Sequence, residues 1–197
     1  YDIDIIDAIL DFYGDDFIYQ TKQLNFLLKN TLELLMEEEQ VAILILEKII
    51  RIKNLNLNDI YHDENFLLFA CKSNNFEVFN MLYKLEKIDL NVYYPSSGNT
   101  SLIIALLNSS DEIAEILTED QRTNINAKNF AGETALSIAI SRDKSKIVDL
   151  LLQNEKFDPK ENNIYELLAN SSKEYQFIIL SSKWFDVNHS MKSYKNL

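Results

Sequence analysis

The sequence predicts an all-α chain, a solenoid of stacked helix-turn-helix repeats preceded by an N-terminal helical cap. Glycine and proline number only 3 and 2 among 197 residues, too few for the turns of an all-β fold, while helix-forming Leu, Ile, Glu and Lys abound. The stretch NFAGETALSIAI at 129–140 repeats, about 34 residues on, the types of SGNTSLIIAL at 97–106: Gly132, Thr134, Leu136 and Ala139 fall on Gly98, Thr100, Leu102 and Ala105. A second apolar stretch follows each copy and keeps the register, Ile113 matching Ile147 and Leu117 matching Leu151, so the period spans a whole two-helix unit.

Residues 1–30 do not fit the repeat. Ile5, Ile6, Ile9, Leu10 and Tyr13 have helical spacing, Gly14 ends that helix, and 17–28 form another. We read them as a cap whose polar outer face is supplied by Asp2, Asp4, Asp7 and Asp11; the alternative is a separate helical module cut short. Residues 31–58 read as a divergent repeat, its second helix at 41–52 entered through the acidic turn 37–39. The unit 59–91 keeps Leu67, Ala70, Val78 and Leu82 but has Asp63 and Asn65 where the later copies have glycine and threonine; aspartate tolerates a left-handed backbone and asparagine caps helices.

The units 92–126 and 127–160 are the clearest. Gly98 and Gly132 permit a positive φ at a tight turn, Thr100 and Thr134 cap the first helix, and Leu102 with Ala105, like Leu136 with Ala139, share one face that a neighbouring helix can approach closely. Unit 161–188 is degenerate: Asn163 followed by Glu166 marks a capped start, 170–172 the inter-helix turn, and Tyr175, Ile178 and Ile179 stand for Ile147, Leu150 and Leu151. Residues 189–197 are a tail or the start of a further repeat. Between units a signature recurs, ending at Asn58, Asn91, Asn126 and Asn188; it predicts an extended stretch whose asparagine takes a left-handed backbone or bonds its own chain.

GETALSIA and GNTSLIIA resemble the GxTPLHxAA core of the ankyrin repeat, and IVDLLL resembles its second helix. The likeness is strongest over 126–158, fair over 91–125 and weaker over 58–90. The proline and histidine of TPLH are absent: Ala135 and Ser137 replace them in one copy, Ser101 and Ile103 in the other, a departure that bears on hydrogen bonding at the turn rather than on packing. The resemblance implies an ankyrin-like stack acting as a non-catalytic protein-protein interaction scaffold that holds its partner at the loop tips and concave groove. Carried over residue by residue, the family's variable positions are Lys128, Phe130, Glu133 and Arg142 in the best repeat, Tyr94, Ser96, Ser97, Asn99 and Asn108 in the one before, and Tyr61, His62, Glu64 and Lys72 in the third. Tyr61, Tyr94, Phe130 and Arg142 lead, because aromatic and arginine side chains carry most interface energy. The competing reading packs Tyr94 or Phe130 on a neighbouring loop.

A net charge of -12 argues against a phosphate-binding surface and favours a basic protein partner over nucleic acid. No apolar run approaches the roughly 20 residues that span a bilayer, so membrane insertion is not expected. Cys71, the single cysteine, reads as a buried, inert thiol and suits a reducing, cytoplasmic setting. The aspartates at 2, 4, 7, 11, 15 and 16 lack the order and closing glutamate of a calcium loop, and His62 and His189 have no ligand-spaced neighbours, so neither metal nor cofactor is expected. No nucleophile elbow, dinucleotide fingerprint or phosphate loop is present, and the chain is read as no enzyme. Two rival readings stand beside the scaffold: a structural part of a larger filament or complex, and the targeting segment of a longer enzyme or effector, since the sequence begins at Tyr1 rather than methionine.

Overall fold

The computed structural model describes residues 30–31, 39–50, 56–58 and 64–184. Nine helices are defined within them: α1 Glu39–Ile49, α2 Phe66–Ser73, α3 Phe76–Tyr83, α4 Ser101–Leu107, α5 Asp111–Glu119, α6 Ala135–Ser141, α7 Ser145–Gln153, α8 Ile164–Asn170 and α9 Lys173–Ser181. From α2 onward they pair as hairpins, α2 with α3, α4 with α5, α6 with α7, α8 with α9. The hairpins stack: α4 lies against both α2 and α6, forming one layer, while α5 lies against α3 and α7, and α7 against α9, forming the other. The predicted cap, Asp63 and the signature at Asn188 lie outside the described residues.

Packing explains the spacing seen in the sequence. Leu102 and Ala105 of α4 and Leu136 and Ala139 of α6 are 0–1 % exposed, as are Leu67, Ala70, Val78 and Leu82 in the preceding hairpin, so a single apolar core runs along the stack. Short helices of seven to nine residues would not persist alone; burial of one face against a neighbour is what holds them. The first three hairpins turn through a left-handed residue at the same place, Asn74, Ser109 and Asp143, with φ of 54°, 59° and 58°, whereas the fourth turns through Ser171 at φ -88°.

The helix entrances follow the prediction in units two to four. Gly98 and Gly132 have φ of 71° and 80°. Thr100 Oγ1 accepts from Ile103 N at 3.4 Å, Asn65 Oδ1 from Leu68 N at 2.9 Å, and Thr134 Oγ1 from Ser137 N at 3.3 Å. At the last entrance Ser137 Oγ accepts in return from Thr134 N at 3.0 Å, closing a capping box. Thus serine itself hydrogen-bonds the turn where the TPLH pattern has histidine.

Three expectations are corrected. α1 begins at Glu39 rather than 41 and its last residue is Ile49, with Lys48 in the last turn suiting the negative end of the helix dipole and a turn at Ile50; residues 51 and 52 of the expected span lie outside the described residues. Asn163 precedes α8 as expected but is left-handed, with φ 49°, and its side chain makes no cap bond, so the helix starts on backbone bonds alone. The signature asparagines among the described residues, Asn58, Asn91 and Asn126, are not left-handed, and their side chains reach across to the next loop rather than to their own. Asn58 Oδ1 accepts from Asp89 N (2.8 Å) and its Nδ2 donates to Lys87 O (3.0 Å). Asn91 does the same with Asn124 N (2.6 Å) and Arg122 O (2.9 Å), and Asn126 with Asp158 N (2.9 Å) and Lys156 O (2.6 Å). A primary amide has both a donor and an acceptor, which is how one asparagine bridges the N–H and C=O of an adjoining loop.

Candidate functional site

Between hairpins the chain makes projecting fingers at 93–100 and 128–134, each closed by one antiparallel bridge, Tyr93 with Thr100 and Lys128 with Thr134. The bridges align Tyr93, not Tyr94, with Lys128. Val92 is buried, so alternation along extended backbone turns Tyr93 outward and brings Tyr94 back toward the core. That alternation is the signal in the sequence that picks out Tyr93.

The two fingers are fastened together. Phe130 N donates to Ser97 O at 2.9 Å, and Asn129 Nδ2 donates to Asn99 Oδ1 at 2.8 Å and to Glu133 Oε2 at 2.9 Å. The Phe130 ring lies across Gly98: a Cβ built there would stand 2.6 Å from its Cδ1. Phe130 is nevertheless 69 % exposed and Tyr93 50 %, an aromatic surface on neighbouring fingers. Beneath them opens a cleft of about 350 Å³ lined by Asp89, Asn91, Val92, Tyr93, Pro95 and Phe130.

The remaining residues singled out from the sequence fall into different surroundings. Tyr94 is half-buried; its hydroxyl donates to Glu64 Oε1, and burial followed by that carboxylate drives its pKa upward. Lys72 Nζ also reaches Glu64, at 3.2 Å, so Tyr94, Glu64 and Lys72 join two consecutive repeats. Lys128 pairs with Glu161 at 2.9 Å. The Asn108 side chain folds back to donate to Ile104 O at 2.9 Å, and Ser96 is exposed. Arg142 is exposed just beyond α6, and no carboxylate among the described residues pairs with it. A helix of seven residues, about 10 Å long, separates it from the finger end. Tyr61 and His62 lie outside the described residues.

The cleft therefore gathers Phe130 with Asp89, Tyr93 and Pro95, which the sequence reading missed; Ser97, Asn99 and Glu133 belong to the bonds that fasten the fingers, and Arg142 stands apart. Cys71 is buried, and burial raises its thiol pKa far above the ordinary value. Among the described residues no three His, Cys, Asp or Glu side chains gather as metal ligands would, and no helix is long and apolar enough to cross a membrane.

A family model described as ankyrin repeats (3 copies) matches the chain twice, over residues 29–129 and 67–163. No curated protein and no solved structure matches it.

Proposed function

The chain belongs to the ankyrin-repeat family, and from that premise we propose that it is a non-catalytic scaffold that holds a basic partner protein in the cytoplasm through its fingers and the groove beside them. Ankyrin repeats are in general protein-protein interaction modules. The observation that carries the reading for this chain is Phe130, two thirds exposed although the backbone beneath it is fixed by the neighbouring finger. An aromatic with two side-chain torsions on a fixed backbone spends little ordering entropy on binding and gains its burial there. Net charge supports the basic partner, since opposite charge speeds encounter and selects among partners. Units at 31–58, 59–91, 92–126, 127–160 and 161–188, with a cap at 1–30, are the division proposed, and Phe130, Arg142, Ser96, Ser97, Asn99, Glu133 and Lys128 the contact residues with most support.

The test is affinity capture with the full chain, identification of the recovered protein, and amide hydrogen exchange on the purified complex. Slowed exchange at 93–99 and 127–133 supports the reading. Slowing confined to α3, α5 and α7, on the other layer of the stack, overturns it.

A further inference from the structure

We propose that the cleft between the two central fingers is a receptor for an arginine side chain of the partner protein. The inference rests on the scaffold reading and names what one part of that surface recognises.

The cleft has two kinds of wall. Tyr93, Pro95, Val92 and Phe130 supply apolar surface and two aromatic faces, while Asp89 and Asn91 stand at the polar side. Asp89 Oδ1 accepts from Asn91 N at 2.8 Å, which orients the carboxylate, and among the described residues no lysine or arginine pairs with it. The lining thus holds a fixed negative charge with no counter-ion beside aromatic rings that water covers. An anion finds no cation there, and a wholly apolar group would desolvate Asp89 without repaying it. A guanidinium answers both walls: its plane stacks on Tyr or Phe, its N–H groups donate to a carboxylate, and its three-carbon stem lies on apolar surface. Lysine reaches the charge but lacks the plane. The volume, about 350 Å³, lies at the low end for small-ligand sites and suits one long side chain.

The cleft is formed before anything binds. The Phe130 N–H to Ser97 and the Asn129 amide to Asn99 hold the two fingers at fixed spacing, and Asn58 and Asn91 tie the loop carrying Asp89 to its neighbours on either side.

The probe is Nα-acetyl-arginine N-methylamide, titrated into the full chain while backbone amide shifts are followed by NMR. Saturable shifts at Asp89, Tyr93 and Phe130 are expected, with the neutral citrulline isostere and the lysine analogue weaker by about fivefold or more. Asp89→Asn keeps the acceptor that Asn91 N–H uses, so it leaves the turn folded while weakening the arginine probe by a similar factor; Phe130→Ala, at an exposed side chain, weakens it independently. Equal binding of citrulline, an unchanged response in both variants, or no shift at these residues overturns the proposal. If the partner is still protected at the fingers in hydrogen exchange while the probe fails, this inference falls and the scaffold reading stands; loss of that protection sinks the reading itself.

Discussion

At the scale of single residues, two glycines of the same conformation do different work. Gly132 has a positive φ with nothing within 4 Å of a built Cβ, so Gly132→Ala meets only the left-handed backbone, a penalty of about 1 kcal/mol. Gly98 carries the same strain and also lies under the Phe130 ring, with Phe130 N only 3.0 Å from the built Cβ. That nitrogen is held by Ser97 O, so the ring must swing and the fingers part. Thermal melts should show Gly98→Ala lowering the midpoint at least twice as far as Gly132→Ala; equal shifts would deny the close approach any energetic weight. A second residue test concerns Asp120. Arg122 donates to it from Nε, Nη2 and the backbone, and its guanidinium lies 5.0 Å from the centre of the Tyr83 ring in the preceding repeat. The Arg122 side-chain bonds hold the Asp120 carboxyl at about 2, against an ordinary 3.8. A depressed folded pKa gives stability that is present above about pH 4 and lost as pH falls through 2. Asp120→Asn should therefore be less stable than the native chain at neutral pH by denaturant titration, with the difference closing by about pH 2. A constant difference across that range would remove the carboxylate from the account.

At the scale of elements, the helix entrances and the loop bridges make separable contributions. Thr134→Ala loses the cap that accepts Ser137 N and costs about 1 kcal/mol, confined to α6 and its partner. Asn126→Ala removes three bonds to the next loop, those to Lys156 O, Asp158 N and Asn162 Nδ2, a loss of about 1 to 3 kcal/mol, and uncouples what lies on either side. Hydrogen exchange should speed up in α8 and α9 for Asn126→Ala while α4 and α5 keep their native rates; uniform acceleration would mean that the bridge does not couple repeats. These elements also show what the sequence makes legible. Gly132, Thr134, Leu136 and Ala139 recur because each meets a local demand, a backbone angle, a cap or a close helix face, and local demands are written in residue type and spacing. The bridges of Asn58, Asn91 and Asn126 join residues about 30 apart, so the repeated asparagine was visible but its partner was not. Tyr93 escapes the sequence reading for a different reason: the variable-position pattern points to Tyr94, and the alternation from Val92 that turns Tyr93 outward gains its register only from the pairing of Tyr93 with Thr100.

At the scale of the whole molecule, each hairpin touches its neighbours and the core is continuous only because the units stack. Ion pairs follow the same period, Lys144 with Asp111, Lys146 with Glu115 and Lys128 with Glu161, every one joining adjacent repeats. Such pairs near the surface contribute little each, on the order of 0 to 1 kcal/mol, so the stack owes its stability to apolar faces and loop bridges, and the exposed side chains of Phe130 and Arg142 are free of that duty. This separation of folding from recognition is the central claim. The most direct test is the double variant Phe130→Ala with Arg142→Ala, measured for melting midpoint and for recovery of the captured partner. Exposed substitutions shift stability by only about 0.5 kcal/mol each, whereas truncated hot-spot residues commonly cost about 2 kcal/mol or more of binding apiece. A nearly native melt with partner recovery reduced at least tenfold is the predicted result, and undiminished recovery from a folded double variant would contradict it.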